Sequence, residues 1–177
     1  MITLLLGPMF SGKTTLLLDY ERRFRIANRN VLIIKYSHDN RYSQTTVVSH
    51  NGIHSKSSLV NADHLLHISP DLFANVNAIL IDEGQFFPDL RAFCEMHVTT
   101  TIVVSGLSGD YQQRPFAPIN DIIPFADSIV FCNSICTKCG ENAPFTVRLS
   151  NEAQQTIIGG SELYEPRCRA HLYAQSA

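Results

Sequence analysis

The chain has 177 residues, with 14 Lys plus Arg against 16 Asp plus Glu, a formal net charge of −2 and 45% apolar residues. The length suffices for one domain with a real core, and the charge balance excludes a surface that coats nucleic acid, which needs a marked excess of Lys and Arg. No run reaches the roughly 18 apolar residues of a membrane helix, and the apolar start Met1–Leu6 has no basic segment before it, so it reads as the first strand of a cytosolic chain and not as a signal peptide.

Ile2 to Leu6 is a short apolar run closed by Gly7-Pro8, the pattern of a buried parallel strand. Thr14 to Ala27 carries Leu17, Tyr20, Phe24 and Ala27 at helical spacing and predicts an amphipathic helix ending near Asn28. Val31 to Tyr36 is β-branched and apolar, which completes a strand–helix–strand unit with parallel strands. Ser43 to Val60 is polar and contains Asn51-Gly52, a turn signal for a small hairpin or excursion. Asn61 to His67 reads as a short helix at best, Val76 to Asp82 as a strand, and Leu90 to His97 as a helix. Thr101 to Ser105 and Ser128 to Cys132 are the fourth and fifth predicted strands. The alternation predicts an α/β fold with a parallel sheet over residues 1–132. After Cys132, short polar pieces and Gly140, Pro144, Gly159-Gly160 and Pro166 replace the periodic segments. Residues 133–177 therefore read as a small subdomain that cannot build its own core and needs a staple.

Gly7-Pro8-Met9-Phe10-Ser11-Gly12-Lys13-Thr14 fits G-x-x-x-x-G-K-[ST] between a predicted strand and a predicted helix. Its backbone N–H groups and the helix start suit a triphosphate. Lys13 is then the residue for the β- and γ-phosphates, and the Thr14 hydroxyl a ligand for Mg²⁺. Asp82-Glu83 follows Ile79-Leu80-Ile81 at a strand end, where Mg²⁺ must be held beside such a loop. Asp82 reads as the metal-side carboxylate. Glu83 reads as a base acting on a substrate hydroxyl in a kinase or on water in an ATPase, and spacing leaves both open. Asp39 and Arg41 lie beyond the second strand, where they could assist the metal and neutralise phosphoryl charge, or form a solvated loop pair.

Five cysteines are present. Cys136-Thr137-Lys138-Cys139 is C-x-x-C and Cys168-Arg169-Ala170-His171 is C-x-x-H, with 28 residues between them. Together they can supply a tetrahedral Cys₃His set for Zn²⁺, with no open position and hence a structural role. A redox pair would normally open a helix in a thioredoxin-like βαβ unit, which is absent here. Cys94 and Cys132 read as buried free thiols.

The P-loop, K-Y-S-H-D-N-R-Y, D-E-G-Q-F-F, Q-Q-R-P-F, T-V-R-L, I-I-G-G-x-x-x-Y and the two cysteine pairs occur in one order. Over essentially the whole chain, this resembles the thymidine kinases of the compact P-loop type with a zinc-bound lasso, found in animal cells, many bacteria and large DNA viruses. The resemblance implies transfer of the ATP γ-phosphoryl group to the 5′-hydroxyl of thymidine, giving dTMP for deoxynucleotide salvage. It implies ATP as donor, Mg²⁺, a structural Zn²⁺, feedback inhibition by dTTP and a homotetramer, with no nucleic-acid or membrane partner. By the same resemblance Glu83 is the catalytic base, Asp82 the Mg²⁺-side carboxylate and Asp39 a second acidic residue at the metal, with Arg41 and Lys13 around the transferred group. Met9, Phe86, Leu107, Tyr111 and Phe116 would surround the nucleoside. Thr146, Ile157, Gly159 and Tyr164 would belong to the lasso that closes over the base. Ser108-Gly109-Asp110-Tyr111 stands where the family commonly has D-G-x-F. The alternatives are a P-loop deoxynucleoside kinase of different base preference and a zinc-ribbon nucleic-acid-binding ATPase, for which the charge offers no basic stripe.

Overall fold

A computed structural model describes residues 1–38, 58–152, 154–157 and 159–173. Strands β1 (Ile2–Gly7), β2 (Val31–Tyr36), β3 (Ser58–Ala62), β4 (Ala78–Ile81), β5 (Thr101–Leu107) and β6 (Ser128–Phe131) form one sheet in the order β3-β2-β4-β5-β1-β6. Every pairing in it is parallel. Helices α1 (Lys13–Ile26), α2 (Leu90–Met96) and α3 (Ala117–Ile122) connect the strands.

The near-continuous apolar strands follow from burial on both sheet faces. Alternate residues serve two cores, as the pleat requires. Leu4, Ile34, Ile79, Ile81, Ile102 and Val104 share one with Leu90 and Phe93 of α2 and Ile119 and Ile122 of α3. Leu5, Ile33, Leu80 and Val103 share the other with Leu17 and Leu18 of α1. The strand order sets β4, β5 and β1 side by side. Their carboxyl ends deliver Asp82-Glu83, Leu107 and the Gly7 loop to one crevice, the usual ligand site of an open α/β sheet.

Three elements differ from the sequence expectation. Ser58–Ala62 is a sixth strand, not part of an excursion or short helix. It is an edge strand that is only half-buried, so its apolar signal is confined to Leu59 and Val60. A short 3₁₀ turn, Leu65–His67, stands in place of the predicted helix. Helix α3 went unpredicted because Pro118 and Pro124 punctuate it, yet a proline in the first turn costs a helix no hydrogen bond. The expected excursion around Asn51-Gly52 lies outside the described residues.

Beyond β6 the chain forms two small antiparallel pairs. β7 (Ser134–Ile135) pairs with β8 (Asn142–Ala143), and β9 (Phe145–Arg148) with β10 (Tyr164–Arg167). The first pair shares a core of three buried residues, Cys136, Ala143 and Cys168. Among the described residues no helix is long and apolar enough to cross a membrane.

Candidate active site

The turn between β1 and α1 is the phosphate-loop sequence. Gly12 caps α1 in the left-handed region at φ 79°, a conformation open to glycine at no steric cost. Leu16 N–H then donates to Gly12 C=O at 2.9 Å, starting the helix immediately after the turn. Lys13 folds back over the loop. Its Nζ donates to Pro8 C=O at 2.5 Å and approaches Ser11 Oγ at 3.3 Å. The loop is also braced from the far end of the chain. Met9 N–H donates to Thr146 Oγ1 of β9 at 2.9 Å, and Ser134 Oγ donates to Phe10 C=O at 3.0 Å.

Asp82 sits buried at the end of β4. Thr14 Oγ1 lies 3.3 Å from its Oδ2, and Ser105 of β5 donates a hydrogen bond to its Oδ1. Glu83 N–H donates to the same oxygen at 3.1 Å. Glu83 itself adopts φ 56°, an uncommon conformation for a non-glycine residue and a frequent one at functional sites. Its Oε2 accepts a 2.5 Å hydrogen bond from Gln85 Nε2.

Beside Glu83 opens a cleft. Met9, Phe86, Leu107, Tyr111 and Phe116 line it from the α/β side, and Thr146, Ile157, Gly159 and Tyr164 from the lasso side. All nine residues expected around the nucleoside thus meet at one cavity, with Glu83 in its wall. Gly109, Asp110, Gln155 and Thr156 join them. Asp39 and Arg41 lie outside the described residues.

Between β9 and β10, described residues of the lasso are gathered onto one buried cation. Arg148 donates to the carbonyls of Glu152 at 3.0 Å, Gln154 and Gln155 at 2.9 Å, and to Tyr164 Oη at 2.9 Å. Tyr164 Oη donates in turn to Ile157 C=O at 2.8 Å. Across the cleft, buried Asp110 accepts from Gln112 N–H at 2.8 Å and Arg114 N–H at 2.9 Å, and from Gln155 Nε2 at 3.1 Å. Ser105, Gln85, Asp110 and Arg148 were not singled out from sequence. Gln85 and Arg148 lie inside D-E-G-Q-F-F and T-V-R-L, and Asp110 begins an Asx-type turn that its residue type could have signalled.

Cys136, Cys139, Cys168 and His171 bring one ligand atom each to within 4.8 Å of one another. Cys139 Sγ lies 3.7 Å from Cys168 Sγ, and His171 Nδ1 lies 3.9 Å from Cys136 Sγ and 3.2 Å from Cys168 Sγ. A zinc tetrahedron with bonds near 2.3 Å has edges of about 3.8 Å, so the set fits that ion. Burial opposes ionisation of Cys136, but N–H groups of Cys168, Lys138 and Cys139 outweigh it and bring the thiol down to about 6. A thiolate is the form a metal takes. Behind the ligands, Glu165 accepts from Thr137 Oγ1 at 2.8 Å and from Arg167 Nε at 2.6 Å, while Arg167 also donates to His171 C=O at 3.2 Å.

Comparison with known proteins places this geometry in context. The family model described as thymidine kinase matches residues 1–172. The chain is 39% identical to the thymidine kinase of raccoon poxvirus over 170 residues, covering 95% of this chain and 94% of that one. It is 38% identical to human cytosolic thymidine kinase over 180 residues, covering 99% of this chain and 74% of the human one. With myxoma virus thymidine kinase it shares 38% identity over 170 residues, 95% of this chain and 93% of the viral one. By its sequence over nearly its full length, the chain belongs to the thymidine kinase family.

Proposed function

We propose that this chain transfers the γ-phosphoryl group of ATP to the 5′-hydroxyl of thymidine, giving dTMP and ADP. The observation that carries this reading is the position of Glu83. It stands between the Thr14–Asp82 pair at the phosphate loop and a cleft lined by Met9, Phe86, Tyr111 and Tyr164.

The loop amides and the start of α1 cradle the triphosphate, and Lys13 leaves Pro8 C=O for the phosphate oxygens. Thr14 Oγ1 and Asp82 would hold Mg²⁺, which when bound spreads the phosphate charge. Glu83 accepts the proton of the 5′-hydroxyl while the O5′–phosphorus bond forms and the bond to the ADP oxygen breaks. Asp39 and Arg41 would attend the same group. Aromatic and Met side chains cover the faces of the base, and main-chain groups of the lasso read its edge. Positioning and charge stabilisation supply most of the rate.

Residues 133–177 act in this reading as a lid on the 1–132 nucleotide-binding domain, with Zn²⁺ on Cys136, Cys139, Cys168 and His171 pinning both ends of the lasso. dTTP inhibits by laying its triphosphate on the loop and its base in the cleft. The chain works in the cytosol, in keeping with five cysteines none of which is joined in a disulfide. It assembles as a homotetramer. The support on this chain is a low charged fraction, 17%, and the half-exposed Ile129 and Phe131 on outer strand β6.

The test is phosphorylation of labelled thymidine by the purified protein, with Mg²⁺ and with a chelator. Glu83→Gln lowers turnover by roughly 10²- to 10⁴-fold while thymidine still binds. Near-normal turnover in that variant overturns the assignment.

A further inference from the structure

Glu83 is not held in place by its own backbone alone. Its neighbour two residues on, Gln85, is 4% exposed, and its amide faces two partners at once. Nε2 donates to Glu83 Oε2 at 2.5 Å, and Oε1 accepts from Leu107 N–H at 3.0 Å. The orientation of this amide is forced by its partners. A backbone N–H can only donate, and an ionised carboxylate can only accept, so neither bond survives a flip.

The reason for this contact lies in the sheet. Strand β5 runs on to Leu107, past Val104, its last residue paired with β4. On its other side Leu107 pairs with Gly7 of β1. On the β4 side its N–H has no strand to meet, and a buried N–H without a partner costs about 1–3 kcal/mol. The Gln85 carboxamide takes the place of the missing strand. Gly106 leaves it room: a Cβ there would stand 3.3 Å from Gln85 Oε1 and 2.7 Å from Ile119 Cδ1.

We infer that Gln85 is a positioning residue for phosphoryl transfer, which fixes the Glu83 carboxylate by tying one of its oxygens to the end of β5. Glu83 caps the 3₁₀ turn Gly84–Phe86, which contains Gln85, so one short segment carries both side chains. Leu107, the other end of the tie, itself lines the cleft. The base is thereby referenced to the wall of the substrate site, through the oxygen that Gln85 holds. The inference rests on the reading of Glu83 as the base. It also explains why position 85 needs an amide. Glutamate there would satisfy Leu107 but set a carboxylate against a carboxylate, and an apolar residue would satisfy neither.

The experiment measures kcat, KM for thymidine and for ATP, and thermal midpoint in Gln85→Met, Gln85→Glu and Glu83→Gln, all as full-length zinc-loaded protein. Gln85→Glu keeps the acceptor for Leu107 and replaces the donor to Glu83 by an opposing carboxylate, so it tests the Glu83 side of the tie. The expected result is a kcat about 100-fold lower in both position-85 variants, with both KM values within about threefold of the parent. A kcat near the parent value in Gln85→Glu, or a loss that falls on KM, overturns the inference. Should Gln85→Met fail to fold, Gln85→Glu alone decides it. If Glu83→Gln is inactive while Gln85→Glu is fully active, the positioning role fails and the base survives. If Glu83→Gln is active, the base reading fails and takes the inference with it.

Discussion

The Arg148 guanidinium lies 3.9 Å from the centre of the Tyr111 ring, a cation–π contact between the lasso strand and the loop after β5. The same guanidinium binds three lasso carbonyls, so one side chain sets both walls of the cleft. Arg148→Lys keeps the charge but not the planar fork. It raises the thymidine KM by about tenfold, and Arg148→Ala by about 100-fold. The KM for ATP, measured in parallel, changes little, and zinc content checks that the subdomain is intact.

On the proposed reading, removing zinc from the Cys₃His cluster acts on the same wall of the cleft from its base. The three-residue core around Cys136 cannot hold two short strand pairs by itself. Cys139→Ser, or exposure to a strong chelator, lowers bound zinc from one per chain and raises the thymidine KM by at least about tenfold. Elemental analysis together with steady-state kinetics checks both. A chain that keeps its kinetics without zinc contradicts the pinning role.

Thr14 faces Asp82 through its hydroxyl alone, at 3.3 Å. Thr14→Ser keeps that oxygen and holds turnover within about threefold of the parent. Thr14→Ala removes it and shifts the Mg²⁺ dependence of kcat to concentrations higher by about tenfold or more. A Mg²⁺ titration at saturating ATP and thymidine separates the two.

Cys94 is buried on α2, and burial pushes its thiol up to about 12. Thiolate is the reactive form, so alkylation of the native protein at pH 8 leaves Cys94 unmodified, while the unfolded chain is labelled there. Peptide mapping reads the difference. The folded chain keeps this proton where the unfolded chain, with its thiol near 9, releases it. Stability is therefore complete below about pH 9 and falls as pH rises from there toward 12.

How far the sequence discloses this molecule depends on what kind of contact is involved. Strands β1, β2, β4 and β5 were legible because burial on both faces demands unbroken apolar runs, as in Ile79-Leu80-Ile81. The Cys₃His cluster was legible because metal-ligating residues come in fixed types at fixed spacing. Edge strand β3 was not, because half-burial leaves a mixed pattern in Ser58–Ala62. Arg148 and Gln85 escaped notice for another reason. Both act on main-chain groups, Arg148 on lasso carbonyls and Gln85 on Leu107 N–H, and a backbone partner leaves no mark on residue type. Ser105 is a single small polar residue in an apolar strand, whose meaning appears only when Asp82 lies beside it.

The bond from Met9 N–H to Thr146 Oγ1 ties the phosphate loop to the strand that carries the lasso. Anything that shifts that amide toward a phosphate must also act on Thr146, and anything that draws the lasso down acts on the loop. Were thymidine to change the grip on ATP through this bond, ATP would by thermodynamic reciprocity change the grip on thymidine by the same factor.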